Sequence, residues 1–276
     1  MYKKFLVVAS KKDKAGTNIT TQLSQFKKNP LVSILQNNEK GFDFYLVEDE
    51  IVFTENLDLN KINKYDFIIF ASKHSSEKNM KAITVHTPGN FKDARFGGEK
   101  GKISKTSALF VKQLFEKIKT DVEKHDLRGY DVTMEATHHG PLIEKPCLFL
   151  EIGSTEHEYT DRRAGFIVAK ALLDTMEKFK PNPYNEIAIA VGGPHYCQNF
   201  NKIQSDSNVA ISHVIPNYAL PLTEEILKEA IEKTDEEIDF FLVDWKGLGT
   251  AEERQKTIDV LEKNYIQWKK TGDIKR

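Results

Sequence analysis

Short apolar runs without hydrophobic–polar alternation recur along the chain, and they limit the folds that it can adopt more than any other feature. Runs such as Phe5–Ala9 and Phe67–Ala71 are rich in Val, Ile and Phe. Strands with this pattern are usually covered on both faces. The predicted strands are Phe5–Ala9, Phe42–Val47, Phe67–Ala71, Ile83–Val85, Val132–Ala136, Leu148–Ile152, Ile187–Val191 and Phe240–Val243.

Helical periodicity fills the segments between these runs. Apolar residues three or four positions apart form three helical faces, which carry Ile19, Leu23 and Phe26; Ala108, Val111, Phe115 and Ile118; and Ala164, Ile167 and Ala171. A last helix is predicted to begin at the capping box Thr250-Ala251-Glu252-Glu253 and to continue through Ile258, Leu261, Tyr265 and Trp268. Strands that alternate with helices favour an α/β fold with a mixed, mostly parallel sheet and helices on both faces. We expect a single domain over residues 1–276, with a lid or an insertion around residues 199–217, where the pattern is weakest.

The composition excludes several classes of protein. The 40 Lys and Arg residues and 41 Asp and Glu residues give a net charge of −1, which argues against a histone-like polycation but allows a local basic face that binds RNA. Two cysteines, Cys147 and Cys197, are too few for a disulfide scaffold and favour a reducing compartment. The apolar runs are far shorter than the ~20 residues of a membrane-spanning helix. We therefore expect a cytoplasmic monomer that does not contact a membrane.

Six of the eight histidines closely follow a predicted strand. These are His74, His86, His138, His139, His157 and His195. Because ligands of open parallel sheets bind beyond the carboxyl ends of the strands, parallel strands would bring these imidazoles to one edge. Imidazole and carboxylate groups are ligands suited to zinc. We expect Zn²⁺ to be held by some of His74, His86, His138, His139 and His195, although any single one of them can instead be structural.

An acidic residue and two imidazoles lie within five positions at one strand end. We assign Glu135, His138 and His139 as catalytic candidates, with Glu135 as general base toward a water whose pKa zinc would lower from ~15.7 to about 7. The alternative for Glu135 is a carboxylate that only orients a histidine. Backbone N–H groups of Gly192-Gly193 or Gly153-Ser154 are candidates for stabilising an oxyanion.

A basic loop containing glycine precedes the predicted helix that carries Ala108, Val111, Phe115 and Ile118. Its cations are Lys92, Arg95, Lys100, Lys102 and Lys105. The spacing within residues 97–102 does not fit a P-loop, but a helix that begins near Ser104 offers free backbone N–H groups to phosphates. Phe91 and Phe96 are candidates for stacking on a base or ribose of RNA. The alternative is a solvated loop without a ligand.

Five short motifs follow one another between residues 72 and 196. They are Ser72-Lys73-His74-Ser75, Thr84-Val85-His86-Thr87-Pro88-Gly89-Asn90, Thr137-His138-His139-Gly140-Pro141, Glu151-Ile152-Gly153-Ser154 and Gly192-Gly193-Pro194-His195-Tyr196. Each is short, but their combination and order resemble the archaeal-type D-aminoacyl-tRNA deacylase family. The resemblance implies a zinc-dependent hydrolase that cleaves the ester between a D-amino acid and the terminal ribose of tRNA, and so clears mischarged tRNA. It also implies a fold similar to phosphorylase- and peptidyl-tRNA-hydrolase-like α/β proteins.

Two other functions fit parts of the sequence. One is a zinc-dependent peptidase or amidase that uses His74 and Glu77, which have the spacing His-x-x-Glu. The other is a non-catalytic tRNA-binding protein whose histidines are structural. Under the resemblance, the acceptor end of D-aminoacyl-tRNA is the partner. Its binding residues are then expected to be Arg95, Phe96, Lys100, Lys102, Lys105, Gly192 and Gly193.

Overall fold

The computed structural model describes residues 2–27, 41–55, 57–181, 184 and 186–275, which form two β-sheets flanked by helices. The first sheet has the strand order β2-β1-β3-β8-β4-β7 and the second β10-β9-β11-β12, while β5 and β6 form a separate pair. The strands are β1 (Lys4–Ser10), β2 (Gly41–Val47), β3 (Phe67–His74), β4 (Ala82–His86), β5 (Gly89–Asn90), β6 (Lys102–Ile103), β7 (Asp131–Met134), β8 (Cys147–Gly153), β9 (Glu186–Gly193), β10 (Val209–Pro216), β11 (Phe240–Val243) and β12 (Trp268–Lys270).

Most neighbouring strands run parallel, as the sequence predicts. The second sheet is parallel throughout. In the first sheet, β4 pairs with β8 in the antiparallel direction, so β4 and its parallel partner β7 run against the other four strands. The prediction of a mixed, mostly parallel α/β fold is thus confirmed.

Eight α-helices lie among the described residues, and they cover both faces of the sheets. They are α1 (Lys14–Lys27), α2 (Leu59–Ile62), α3 (Ala108–Lys124), α4 (Glu156–Tyr159), α5 (Arg162–Lys178), α6 (Gln198–Asp206), α7 (Glu224–Glu232) and α8 (Ala251–Lys263). The apolar faces predicted for α1, α3 and α5 are buried in one hydrophobic cluster. That cluster also includes residues of both sheets, such as Phe5 and Phe240. No helix among the described residues is long and apolar enough to cross a membrane.

The last predicted helix begins as expected but ends earlier. Thr250 and Glu253 form the capping box. The helix stops at Lys263, Tyr265 adopts a left-handed φ of 58° and is 93% exposed, and Trp268 begins β12. The expectation that Tyr265 and Trp268 belong to this helix is therefore wrong, because the left-handed residue redirects the chain into a strand.

The stretch 199–217, for which the sequence suggested a lid or an insertion, contributes to the hydrophobic core. It contains most of α6 and the whole of β10, all eight residues of which are buried. β10 pairs with β9 along its length. These residues are therefore part of the second sheet and do not form a lid.

One face of the first sheet changes from apolar to polar along the strands. In β3, Ile68 and Phe70 belong to a hydrophobic cluster on this face. Because alternate residues of a strand point to the same face, Ser72 and His74 lie on it as well. In β8, Glu151 is the register partner of Ser72. The polar end of this face places His74 and Glu151 together in the interior.

Candidate active site

Five imidazoles and two carboxylates meet where the polar face of the first sheet adjoins the second sheet. They are His74, His86, His138, His139, His195, Glu135 and Glu151. All of them except His86 line a cavity of about 470 Å³. The His138 ring lies 4.3 Å from the ring of His86, 4.3 Å from that of His139 and 4.6 Å from that of His195, measured between centroids. The structure thus brings together the five histidines that the sequence proposed as zinc ligands.

Glu135 is at the centre of this group. Its Oε1 atom lies 3.2 Å from Nδ1 of His74 and 3.1 Å from Nε2 of His195. Its Oε2 atom lies 3.8 Å from Nε2 of His86. The residue directly follows β7, and the N–H of the next residue, Ala136, donates to the carbonyl of His195. The contact between the two sheets therefore positions Glu135 among histidines from three different strands.

Glu151 is a second buried carboxylate of the site, and the sequence analysis did not assign it a role. It accepts a hydrogen bond from Oγ1 of Thr84, and its carboxylate lies 3.7 Å from Nδ1 of His74 and 3.9 Å from Nε2 of His86. Burial opposes its ionisation, but the nearby imidazoles of His74 and His86 lower the pKa of Glu151 to about 2. The sequence does contain a signal for this residue, because Glu151 is the one charged residue within the apolar run Leu148–Ile152.

The charges of the buried centre stabilise one another. Burial would raise the pKa of Glu135, but the hydrogen bonds from His195 and His74 outweigh it and hold that pKa well below its usual range. Burial would lower the pKa of His74, but Glu135 and Glu151 raise it to about 10. The two carboxylates are therefore ionised and attract cations.

His138 and His139 are held in the form that binds metals. Burial and the neighbouring imidazoles lower the pKa of His138, and burial with His86 lowers that of His139 to about 4, so both rings are neutral. Nδ1 of His138 lies 2.8 Å from the carbonyl oxygen of Ala136, and Nδ1 of His139 lies 2.6 Å from that of Gly140. These contacts fix the proton on Nδ1 and leave Nε2 available as a ligand.

The donor atoms suit a metal ion. Three groups of donors each lie within 4.8 Å of one another: His86, His138 and His139; Glu135, His138 and His195; and His74, Glu135 and Glu151. The first and third groups share no residue. Nε2 of His86 and Oε2 of Glu135 are buried and have no hydrogen-bond partner in the described part of the chain. Since unsatisfied buried polar atoms are costly, both atoms indicate a ligand at the site: a cation suits Nε2 of His86, and a proton donor such as water suits Oε2 of Glu135.

Asp13 is another cavity residue that the sequence analysis did not identify. It follows β1, and one of its carboxylate oxygens accepts hydrogen bonds from Oγ of Ser72 and the N–H of Lys73. The other oxygen accepts from the N–H of Gly16 at the start of α1. Asp13 thereby joins the β1–α1 turn to the end of β3 that carries His74.

The basic loop lies next to the cavity, but only part of it is open. Phe96 lines the cavity and is 65% exposed, and Lys100 is exposed. Other cations of the loop already have acidic partners: Arg95 pairs with Asp93, Lys102 with Glu229 at 3.0 Å and Lys105 with Asp235 at 2.5 Å. Phe96 and Lys100 are therefore the predicted contacts that remain available to a ligand.

Two details of this loop correct the sequence analysis. Phe91 is 7% exposed and packs in a hydrophobic cluster, so it does not stack on a base. The helix begins at Ala108 after the N-cap Ser107, not near Ser104, and its first N–H groups donate to the carboxylate of Glu236. Because Glu236 occupies this helix N-terminus, it is closed to phosphates.

Gly192 and Gly193 end β9 beside the site, and neither is among the described residues that line the cavity. A Cβ atom at Gly192 would lie 2.7 Å from Leu248, and one at Gly193 would lie 2.4 Å from Phe200. The backbone there must therefore pass close to neighbouring side chains. The other pair proposed to stabilise an oxyanion was Gly153-Ser154. The side-chain hydroxyl of Ser154 donates to the carbonyl of Met80.

Several residues considered from the sequence lie outside the donor groups. Glu77, the partner of His74 in the peptidase hypothesis, is exposed. The side chain of His157 is 77% exposed and contacts Glu158. Cys197 is buried, and burial raises the pKa of its thiol well above the usual range. None of the three belongs to a group of metal donors among the described residues.

Comparison with known proteins identifies the family. The family model described as D-aminoacyl-tRNA deacylase matches residues 61–269. Curated relatives named D-aminoacyl-tRNA deacylase include one from Methanocaldococcus jannaschii, 32% identical over 97% of this chain and 99% of the relative, and one from Thermococcus kodakarensis, 33% identical over 93% and 96%. A solved structure of a conserved protein of unknown function has a TM-score of 0.85 and 28% identity, with 99% of each chain covered. The chain is therefore an enzyme of the D-aminoacyl-tRNA deacylase family.

Proposed function

We propose that this enzyme hydrolyses the ester bond of D-aminoacyl-tRNA with the help of zinc, and so releases a free D-amino acid and tRNA. The observation that carries the proposal is the set of five imidazoles and two carboxylates at one cavity, with His86 and Glu135 each presenting an unpartnered buried atom. The names of the relatives support the choice of substrate.

Zinc would be held by members of the three donor groups, and His138 belongs to two of them. When bound there, zinc would polarise the ester carbonyl and acidify a water molecule. The neutral rings of His138 and His139 would offer Nε2 to the metal, because their Nδ1 atoms are bonded to backbone carbonyls. Glu135 and Glu151 balance the positive charge.

Glu135 is the proposed general base. Its Oε1 atom is held by His74 and His195, whereas Oε2 has no hydrogen-bond partner among the described residues and is free to accept a proton. We assign to Oε2 the proton of the attacking water. That proton then passes to the ribose oxygen that leaves, so the hydroxyl ends on the amino acid and the hydrogen on tRNA.

The walls of the cavity would position the substrate. Phe96 extends into the cavity mouth with an exposed ring that suits the terminal base or ribose, and Lys100 lies on the same loop, where it suits a phosphate. Ile51 and Val52 give the wall an apolar section. Selection for the D-enantiomer requires a wall that excludes the side chain of the L-enantiomer, which is a steric form of specificity.

A comparison of substrates separates this proposal from a peptidase or amidase. We expect the purified enzyme to release free tyrosine from D-tyrosyl-tRNA at a rate far above spontaneous hydrolysis, and to leave D-tyrosyl dipeptides intact. Chromatography of the released amino acid, with a parallel measurement of intact aminoacyl-tRNA, checks both products. Release from dipeptides without deacylation of the tRNA would favour the peptidase instead.

A further inference from the structure

A second groove lies at the carboxyl edge of the second sheet, the edge beyond which His195 also lies. It has a volume of about 380 Å³, and its lining includes Asn217, Tyr218, Leu220, Leu248 and Lys256. The mechanism above uses none of these residues. The groove is therefore open to a part of the substrate that lies outside the catalytic cavity.

The strand register places one wall of the groove beside the catalytic histidines. Pro216 of β10 pairs with Gly193 of β9, so Tyr218 and His195 each lie two residues beyond the same pair. Partial burial, together with Cys197 and Glu135, raises the pKa of Tyr218 to about 12. Tyr218 is nevertheless 56% exposed.

The opposite wall packs against the segment that leads to His195. A Cβ atom at Gly247 would lie 1.6 Å from the carbonyl oxygen of Gly192, and Leu248 contacts Gly192, whose φ is +94°. Only glycine tolerates this approach. This wall of the groove is therefore supported by the same segment that leads to His195.

The chemistry of the groove matches a single-stranded nucleic acid. Tyr218 offers an exposed aromatic ring. Lys92 is not in the lining, but it donates its ammonium group to the carbonyl of Leu220, which is, and it has no carboxylate partner among the described residues. The one carboxylate in the lining, Glu253, accepts the N–H of Thr250. Exposed rings combined with cations bind bases and phosphates of single strands.

We propose that this groove binds a nucleotide of the single-stranded acceptor end of tRNA, with its base stacked on Tyr218. The inference rests on the proposed function, because the ester must lie in the catalytic cavity while the adjoining nucleotide lies in the groove. It assigns Tyr218 to substrate binding, at a position that the sequence motifs do not include.

The test compares Tyr218→Ala with Tyr218→Phe, which retains the ring, and with Tyr265→Ala, which removes an even more exposed ring just beyond the C-terminal end of α8. Binding of the trinucleotide CCA is measured by calorimetry, and KM is measured for D-tyrosyl-tRNA and for D-tyrosine methyl ester. We expect Tyr218→Ala to weaken CCA binding and to raise KM for the tRNA about tenfold, as is typical when a stacked base loses its ring. The increase should be at least about fivefold larger for the tRNA than for the ester.

CCA binding by Tyr218→Phe that is close to that of the wild type would support stacking on the ring. Equal CCA binding by Tyr218→Ala and the wild type, an equal loss in Tyr265→Ala, or an equal loss on tRNA and ester would each overturn the inference. CCA binding requires no turnover. A wild type that binds CCA through Tyr218 but does not hydrolyse D-tyrosyl-tRNA would therefore contradict the proposed function and leave the groove assignment intact.

Discussion

Removal of bound metal with a chelator is expected to lower the rate of D-tyrosyl-tRNA hydrolysis by at least about 10³-fold, since a catalytic metal contributes several kcal/mol and each 1.36 kcal/mol is tenfold. The expectation follows from the unpartnered Nε2 of His86 and from the neutral rings of His138 and His139. Single-turnover kinetics before and after chelation, with metal content determined by mass spectrometry, measure the effect.

Re-addition of zinc should restore the rate, and a sample dialysed without chelator serves as control. Circular dichroism of the metal-free protein checks that the fold persists. Full activity in protein shown to contain no metal would remove zinc from the mechanism. Activity lost on chelation but restored only by a different metal would keep the donor groups and replace the ion.

Replacement of His138 by Ala is expected to lower kcat by about 10²–10³-fold, because loss of even an outer-shell partner of a metal costs 10–100-fold and His138 belongs to two donor groups. The ring is neutral and partly exposed to the cavity, so its removal should change the free energy of unfolding by less than about 2 kcal/mol. Steady-state kinetics and urea unfolding separate the two quantities.

His157→Ala is the matched control for this substitution. His157 also follows a predicted strand, but its side chain is 77% exposed and outside the donor groups. We expect wild-type kcat for this variant. Near-wild-type activity in both His138→Ala and His139→Ala would exclude these residues from catalysis, whereas a large loss of stability in His138→Ala would show that its role is structural.

The sheets were predictable wherever both faces of a strand are apolar. β10 was missed because Ser212 and His213 interrupt its apolar pattern. Both are satisfied by tertiary contacts: Ser212 bonds to Thr234, and Nε2 of His213 lies 3.1 Å from the carbonyl oxygen of Lys233. A hydropathy pattern contains no information about hydrogen bonds that form only when the chain folds.

The convergence of the histidines was predicted, but its physical cause was not. The sequence argument assumed parallel strands, whereas β4, which carries His86, runs antiparallel to β8. Convergence instead depends on contacts between the two sheets, such as the hydrogen bond from the N–H of Ala136 to the carbonyl of His195. No local sequence pattern encodes a contact of this kind.

Long-range pairs explain the remaining differences. Glu236 caps the start of α3 from more than 120 positions away, which closed the phosphate site expected there. Glu151 belongs to one of the five motifs, but its place in the site depends on the strand register, which sets it beside Ser72 and near His74 and His86. Residue types near strand ends indicated the chemistry, while the tertiary arrangement selected the members of the site.

The most direct test of the central claim is the hydrolysis of D-tyrosyl-tRNA and L-tyrosyl-tRNA by the wild-type enzyme under identical conditions. We expect rapid release of D-tyrosine and a kcat/KM for L-tyrosyl-tRNA at least about 10²-fold lower, since a steric wall must exclude one enantiomer at a cost of a few kcal/mol. Equal rates for the two enantiomers, or no release of D-tyrosine above the spontaneous rate, would contradict it.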